Sequence, residues 1–136
     1  MRIFLLMKRT MQERSVFEYA VIRIVPRVER QEFFNVGVIL YCGPQKFLGT
    51  RIQVNRAKLQ VFSEVDCDEL DGYIMAFETI SAGGKVGGPI GQLPIADRFR
   101  WLTATRSTIV QTSHVHPGLC LDAKEMLDHL FIQLVL

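Results

Sequence analysis

Regular alternation of apolar and polar positions begins at Phe17. "FEYAVIRIVP" (Phe17–Pro26) is rich in β-branched and aromatic residues and is closed by a proline, which predicts a strand. A charged turn, "RVERQE", follows. "FFNVGVILYC" (Phe33–Cys42) predicts a second strand, "CGPQ" a turn, and "KFLGTRIQV" (Lys46–Val54) a third strand. Connections this short imply an antiparallel meander. Side chains alternate along a strand, so Phe34, Val36, Val38, Leu40 and Cys42 are expected on one apolar face with Ala20, Ile22, Ile24, Leu48, Ile52 and Val54. The opposite face is expected to carry Arg23, Asn35, Gly37, Arg51 and Gln53 among Tyr19, Phe33, Tyr41 and Phe47, and to be open to another molecule.

Beyond residue 60 the period changes. Leu70, Tyr73, Ile74, Phe77 and Ile80 recur at helical spacing behind Asp66 and Glu69, which stand as a capping box, and Gly83 is placed to end the helix. Residues 83–94 are glycine-rich loop. Pro94 suits the first turn of a short helix, "PIADRFRWLT", followed by a strand "STIVQTS" and a turn "HVHPG". Asp122 and Glu125 open a final helix whose stripe is Met126, Leu127, Leu130, Phe131, Leu134 and Val135. The fold class predicted is α+β, with residues 1–16 a flexible N-terminal extension. Residues 17–136 form a single domain: an antiparallel sheet of about four strands, meander first, with helices packed mainly on one face.

Composition suits such a domain: 136 residues, 49% hydrophobic and 22% charged. The net charge of +2 argues for no particular partner, but its distribution is polarised. Residues 1–60 hold 11 basic and 4 acidic side chains, whereas residues 61–82 hold 6 acids and no base. The two regions are expected to neutralise each other within the fold or in an oligomer. Three distant cysteines (Cys42, Cys67, Cys120) do not form a disulfide framework and point to a cytoplasmic protein. The apolar run Ile3–Met7 is too short for a signal sequence, and no stretch approaches the ~20 apolar residues of a membrane span. Translation from Met1 or from Met11 stays open, as does homo-oligomerisation.

Candidate chemistry is sparse. The loop around Gly84–Lys85 lacks the Ser/Thr of a phosphate-binding loop and follows a helix instead of a strand. His114, His116 and Cys120 are the nearest approach to a metal site, but their spacing matches no usual zinc pattern, so neither metal nor cofactor is expected. The same His pair with Cys120 as nucleophile lacks a visible base and orienting group. Arg106 followed by Ser107 and Thr108 could cradle an anion, because guanidinium and hydroxyl donors can share one oxyanion. Mid-strand Arg23 and Arg51 must be solvated or paired. Trp101 is expected to anchor core and to stack on an arginine.

"EYAVIRIVP", "EFFNVGVILYC" and "IGQLPIADRFRWLTATRSTIVQTSHVHPG" resemble the bacterial family called domain of unknown function 3037. The resemblance runs from Phe17 nearly to the end and rests on Arg23, Asn35–Val36–Gly37, Arg98, Trp101, Arg106, Ser107 and Gln111. The family name assigns no activity. The resemblance implies a protein partner, since members are often encoded beside a HipA-like kinase protein. Two functions are therefore expected. The first is a non-enzymatic interaction or accessory module. The alternative is a protein that binds or processes a phosphate-bearing ligand or nucleic acid through Arg23, Asn35, Arg51, Arg106, Ser107 and Gln111.

Overall fold

The computed structural model describes residues 14–26, 32–62, 66–106 and 108–136. Most of the predicted N-terminal extension, most of the "RVERQE" turn, and Ser107 lie outside the described residues. Five strands form one antiparallel sheet: β1 (Ser15–Ile24), β2 (Phe34–Cys42), β3 (Phe47–Ile52), β4 (Val110–Thr112) and β5 (His116–Cys120). The meander runs β3-β2-β1. The far edge of β1 is shared, with β4 paired to Ile22–Ile24 and β5 to Ser15–Tyr19. Helices are α1 (Arg56–Phe62), α2 (Cys67–Ala82), a single-turn α3 (Gly88–Gly91), α4 (Ile95–Leu102) and α5 (Ala123–Leu134). A short 3-10 turn, Lys85–Gly87, lies within the glycine-rich connection.

The expected single apolar face is corrected by one residue of backbone. Ile22 pairs with Gly37 but Arg23 pairs with Asn35, so Val36 is the extra residue of a β-bulge. Because side-chain direction has a period of two, the bulge reverses the faces of β2 on either side of it. Phe34 and Val36 join Ala20, Ile22, Ile24 and Ile39 against α1, α2 and α4, where Leu59, Leu70, Phe77, Phe99 and Leu102 complete a first core. Val38, Leu40 and Cys42 turn the other way. They build a second core with Phe17, Cys120, Ala123, Leu127, Leu130 and Phe131. Both faces of the central strands are thus buried, and α5 supplies the second cover. The stripe read along α5 packs as expected, with Met126, Leu134 and Val135 at its margin.

Two further segments differ from the sequence expectation. The "HVHPG" turn is the start of β5. Pro117 is tolerated because β5 is an edge strand, and Gly118 is required because a Cβ there would lie 2.5 Å from the ring of Phe17. Helix α1 is additional, begun by Asn55, whose Oδ1 accepts the Lys58 N–H at 3.0 Å. The other caps are as read: Asp66 accepts from Asp68 N and Glu69 N, and Asp122 accepts from Glu125 N.

The end of α2 explains both Gly83 and Arg98. Arg98 is buried, and its Nη1 donates to the carbonyls of Ile80 (3.2 Å) and Ser81 (3.1 Å), placing a cation on the negative end of the helix dipole. Gly83 adopts φ 83°, and a Cβ at this position would collide with the Arg98 guanidinium. Gly83→Ala should therefore lower the unfolding free energy by about 2–4 kcal/mol through backbone strain and loss of the charged cap. Denaturant titration of the two proteins measures it.

Candidate functional site

The residues singled out by sequence do not form one surface. Cross-strand pairing sets Gln111, Arg23 and Asn35 in a row on the α5 side of the sheet. Asn35 Nδ2 donates to Leu134 O at the end of α5 (3.3 Å), Gln111 Nε2 to Thr108 O (2.9 Å), and Arg23 lies 4.1 Å from the ring centroid of Phe33. Arg51, opposite Val38, is on that same side. Its Nη1 reaches Asp128 Oδ1 at 3.3 Å, its guanidinium stands 4.3 Å over the Phe131 ring, and Lys124 shares the same carboxylate at 3.1 Å. The face expected to be open therefore carries α5, with Arg51 neutralised by it. Arg23 and Arg51 do share a face, as read; Tyr41 and Gly37 lie on the other one, Tyr41 stacking on Phe99 of α4 at 5.4 Å.

Arg106 belongs to a different place. It lies 3.7 Å over the ring of Trp101 and donates through Nη2 to the Trp101 carbonyl. The two form one wall of a cleft of about 320 Å3 between α2, α4 and β4. Tyr73, Phe77 and Ile80 come from successive turns of α2, Leu102 from the end of α4, and Val110 from β4. Tyr73 and Trp101 stand at the mouth, 41% and 38% exposed, whereas Phe77 and Leu102 are buried. No carboxylate among the described residues pairs with Arg106, and burial pulls its pKa below the ordinary arginine value with no neighbouring charge opposing the shift. Sequence reading found Arg106, Trp101 and Gln111 but not the cleft, which joins residues 73–80 to residues 101–112, segments that only packing brings together.

A second cleft, about 420 Å3, lies at the bulged end of the sheet between α1 and the end of α5, with Asn35, Asn55 and Lys58 among apolar walls. It gathers no acid–base pair.

Three further arginines are structural: Arg98 caps α2, Arg56 pairs with Asp71, and Arg100 forms an ion pair with Glu18 at 2.7 Å. His116 stacks on Tyr19 at 5.4 Å, and no three His, Cys, Asp or Glu side chains gather around one point among the described residues. Cys120 is buried beside Cys42, and burial, followed by the neighbouring thiol, pushes its pKa from about 9 up to about 11. A thiol so shifted is a poor nucleophile near neutrality.

The raised thiol has a pH signature. The unfolded chain ionises Cys120 first, so stability from this group is complete below about pH 9 and is lost as pH rises toward about 11. We expect an alkaline loss of about 2 kcal/mol that Cys120→Ala removes. Urea unfolding of both proteins across that range checks it.

Comparison with the curated proteins and with the solved structures yields no match. The model of the family described as "Protein of unknown function (DUF3037)" matches residues 19–135, which takes in the whole sheet but for the first residues of β1, together with every helix among the described residues and, but for Leu136, the lining of both clefts. The chain belongs to that family.

Proposed function

We propose that the chain is a non-catalytic accessory module that binds another protein at the open edge of its sheet. The observation that carries this reading is a bare apolar corner. Helix α4 covers its face of the sheet only as far as Glu18, which Arg100 engages. Beyond it the cross-strand pair Val16 and Leu119 is 57% exposed at both positions, and Leu121 is 53% exposed. β5 pairs with β1 alone, so its outer edge carries no strand among the described residues. An open strand edge flanked by apolar side chains suits an extended, apolar segment of a partner. The buried, protonated Cys120 supports a role without thiol chemistry. Three free cysteines suit a reducing cytoplasm.

The partner we propose is a HipA-like kinase protein, the one that the family resemblance implies. The alternative, a phosphate-bearing ligand or nucleic acid across Arg23, Asn35 and Arg51, has less support, because α5 lies over that face and Asp128 neutralises Arg51.

Co-expressed with a HipA-like kinase protein of the same genome, the chain should elute with it as one species. Val16→Asp combined with Leu119→Asp should weaken the complex by about tenfold or more while leaving the circular dichroism spectrum unchanged. Separate elution of the wild-type proteins, or a complex indifferent to both charges, would overturn the reading.

A further inference from the structure

We propose that the cleft between α2, α4 and β4 is a binding site for a small monocarboxylic acid with an aromatic or branched aliphatic body. This inference is independent of the partner surface, which lies at another edge of the sheet. Three observations carry it.

The first is the shape and lining. At about 320 Å3 the cleft stands at the lower end of the range of small-molecule sites, roughly 300–1,000 Å3, and so fits a ligand of about one ring. Phe77, Ile80, Leu102 and Val110 line it, and they offer an apolar body nothing but hydrocarbon. Its mouth is open, because Tyr73 and Trp101 are part-exposed and Ala76 and Ala104 beside them carry only a methyl group.

The second is an uncompensated cation. Arg106 has donors to spare: Nη2 serves the Trp101 carbonyl, and Nε and Nη1 have no acceptor among the described residues. Part-buried charge without a partner is costly, and a bound anion would remove the cost. The acids nearest in sequence to the lining, Asp71, Glu78 and Asp97, lie outside it, none of them pairs with Arg106 among the described residues, and Asp71 is held by Arg56.

The third is preorganisation. Stacking on Trp101 and the bond to its carbonyl fix the plane of the guanidinium, so little rotamer freedom remains to be lost when a carboxylate meets it. One guanidinium neutralises one negative charge. A phosphate dianion would leave charge uncompensated, because Arg106 is the one cation among the described residues of the lining and the hydroxyls of Thr108 and Thr112 already donate to carbonyls, whereas a carboxylate presents two oxygens to a planar donor and an apolar tail to the walls.

The protein has a single tryptophan, and it stands in this site, so its fluorescence reports occupancy directly. The full chain is titrated at constant ionic strength with sodium phenylacetate, phenylacetamide and sodium phosphate. Phenylacetate should give a saturable change with an affinity about tenfold or more above that of phenylacetamide, the difference expected of a charge-assisted hydrogen bond, and phosphate should give none. Arg106→Gln, its fold checked by circular dichroism, should bring the acid down to the level of the amide and leave the amide unchanged. If that variant does not fold, the acid–amide comparison on the wild-type protein decides. Equal affinity for acid and amide would overturn the proposal. So would phosphate binding as well as phenylacetate, or the lack of any saturable change up to roughly 50 mM, well above the roughly millimolar affinity of so small a ligand.

Discussion

A strand that is apolar on both sides can leave neither side in water, and β1 and β2 are such strands. Ala20, Ile22 and Ile24 look one way from β1 and Phe17 the other; the bulge at Val36 makes β2 do the same. The molecule must therefore have a layer on each side of the sheet. α1, α2 and α4 form one, and α5 forms the other. Ala123, Leu127, Leu130 and Phe131 provide α5 with a stripe of matching width, and Gln45 holds its start in place by accepting from Ala123 N at 2.8 Å and donating to Leu121 O at 2.9 Å.

This two-sided burial decides what the basic residues can do. The segment with most positive charge contributes the inner strands, and its arginines are held within the fold: Arg51 finds Asp128, Arg56 finds Asp71 in the acidic helix, and Arg23, without an acid, lies against the Phe33 ring. Outside that segment Arg100 finds Glu18. The polarised charge of the sequence is thus partly resolved internally. Arg106 escapes because it follows the C-terminus of α4, in a connection outside both layers, where the nearest group is an indole ring and not an acid.

Much of this was legible from residue order. The periods of two and 3.6, the Asp66 and Asp122 caps and the stop at Gly83 delimit β1, β2, α2 and α5 closely, because each depends on neighbours within a few residues. The bulge was not legible. A single inserted residue leaves the local pattern unchanged while reversing every side chain after it; next to it, Gly37 lets β3 approach closely, since a Cβ there would lie 2.6 Å from the Arg51 carbonyl. β5 reads as a turn because Pro117 followed by Gly118 is locally a turn signal, and only its place beside β1 makes it a strand. The sharing of a face by Arg23 and Arg51 could be read from strand parity; the presence of α5 above them could not, since it depends on a helix 77 residues further along the chain.

The split edge of β1 also governs how the molecule comes into being. Ser15 waits for Cys120, and Ile24 for Val110, before its outer ladder can close. On a ribosome adding roughly 5–20 residues per second, β1 and β2 are available for several seconds before their last neighbours emerge. During that interval the outer edge of a long apolar strand is unprotected. Contacts so distant in sequence make for slow folding, and assembly of the finished sheet has to begin from the β1–β2–β3 meander and end with β5.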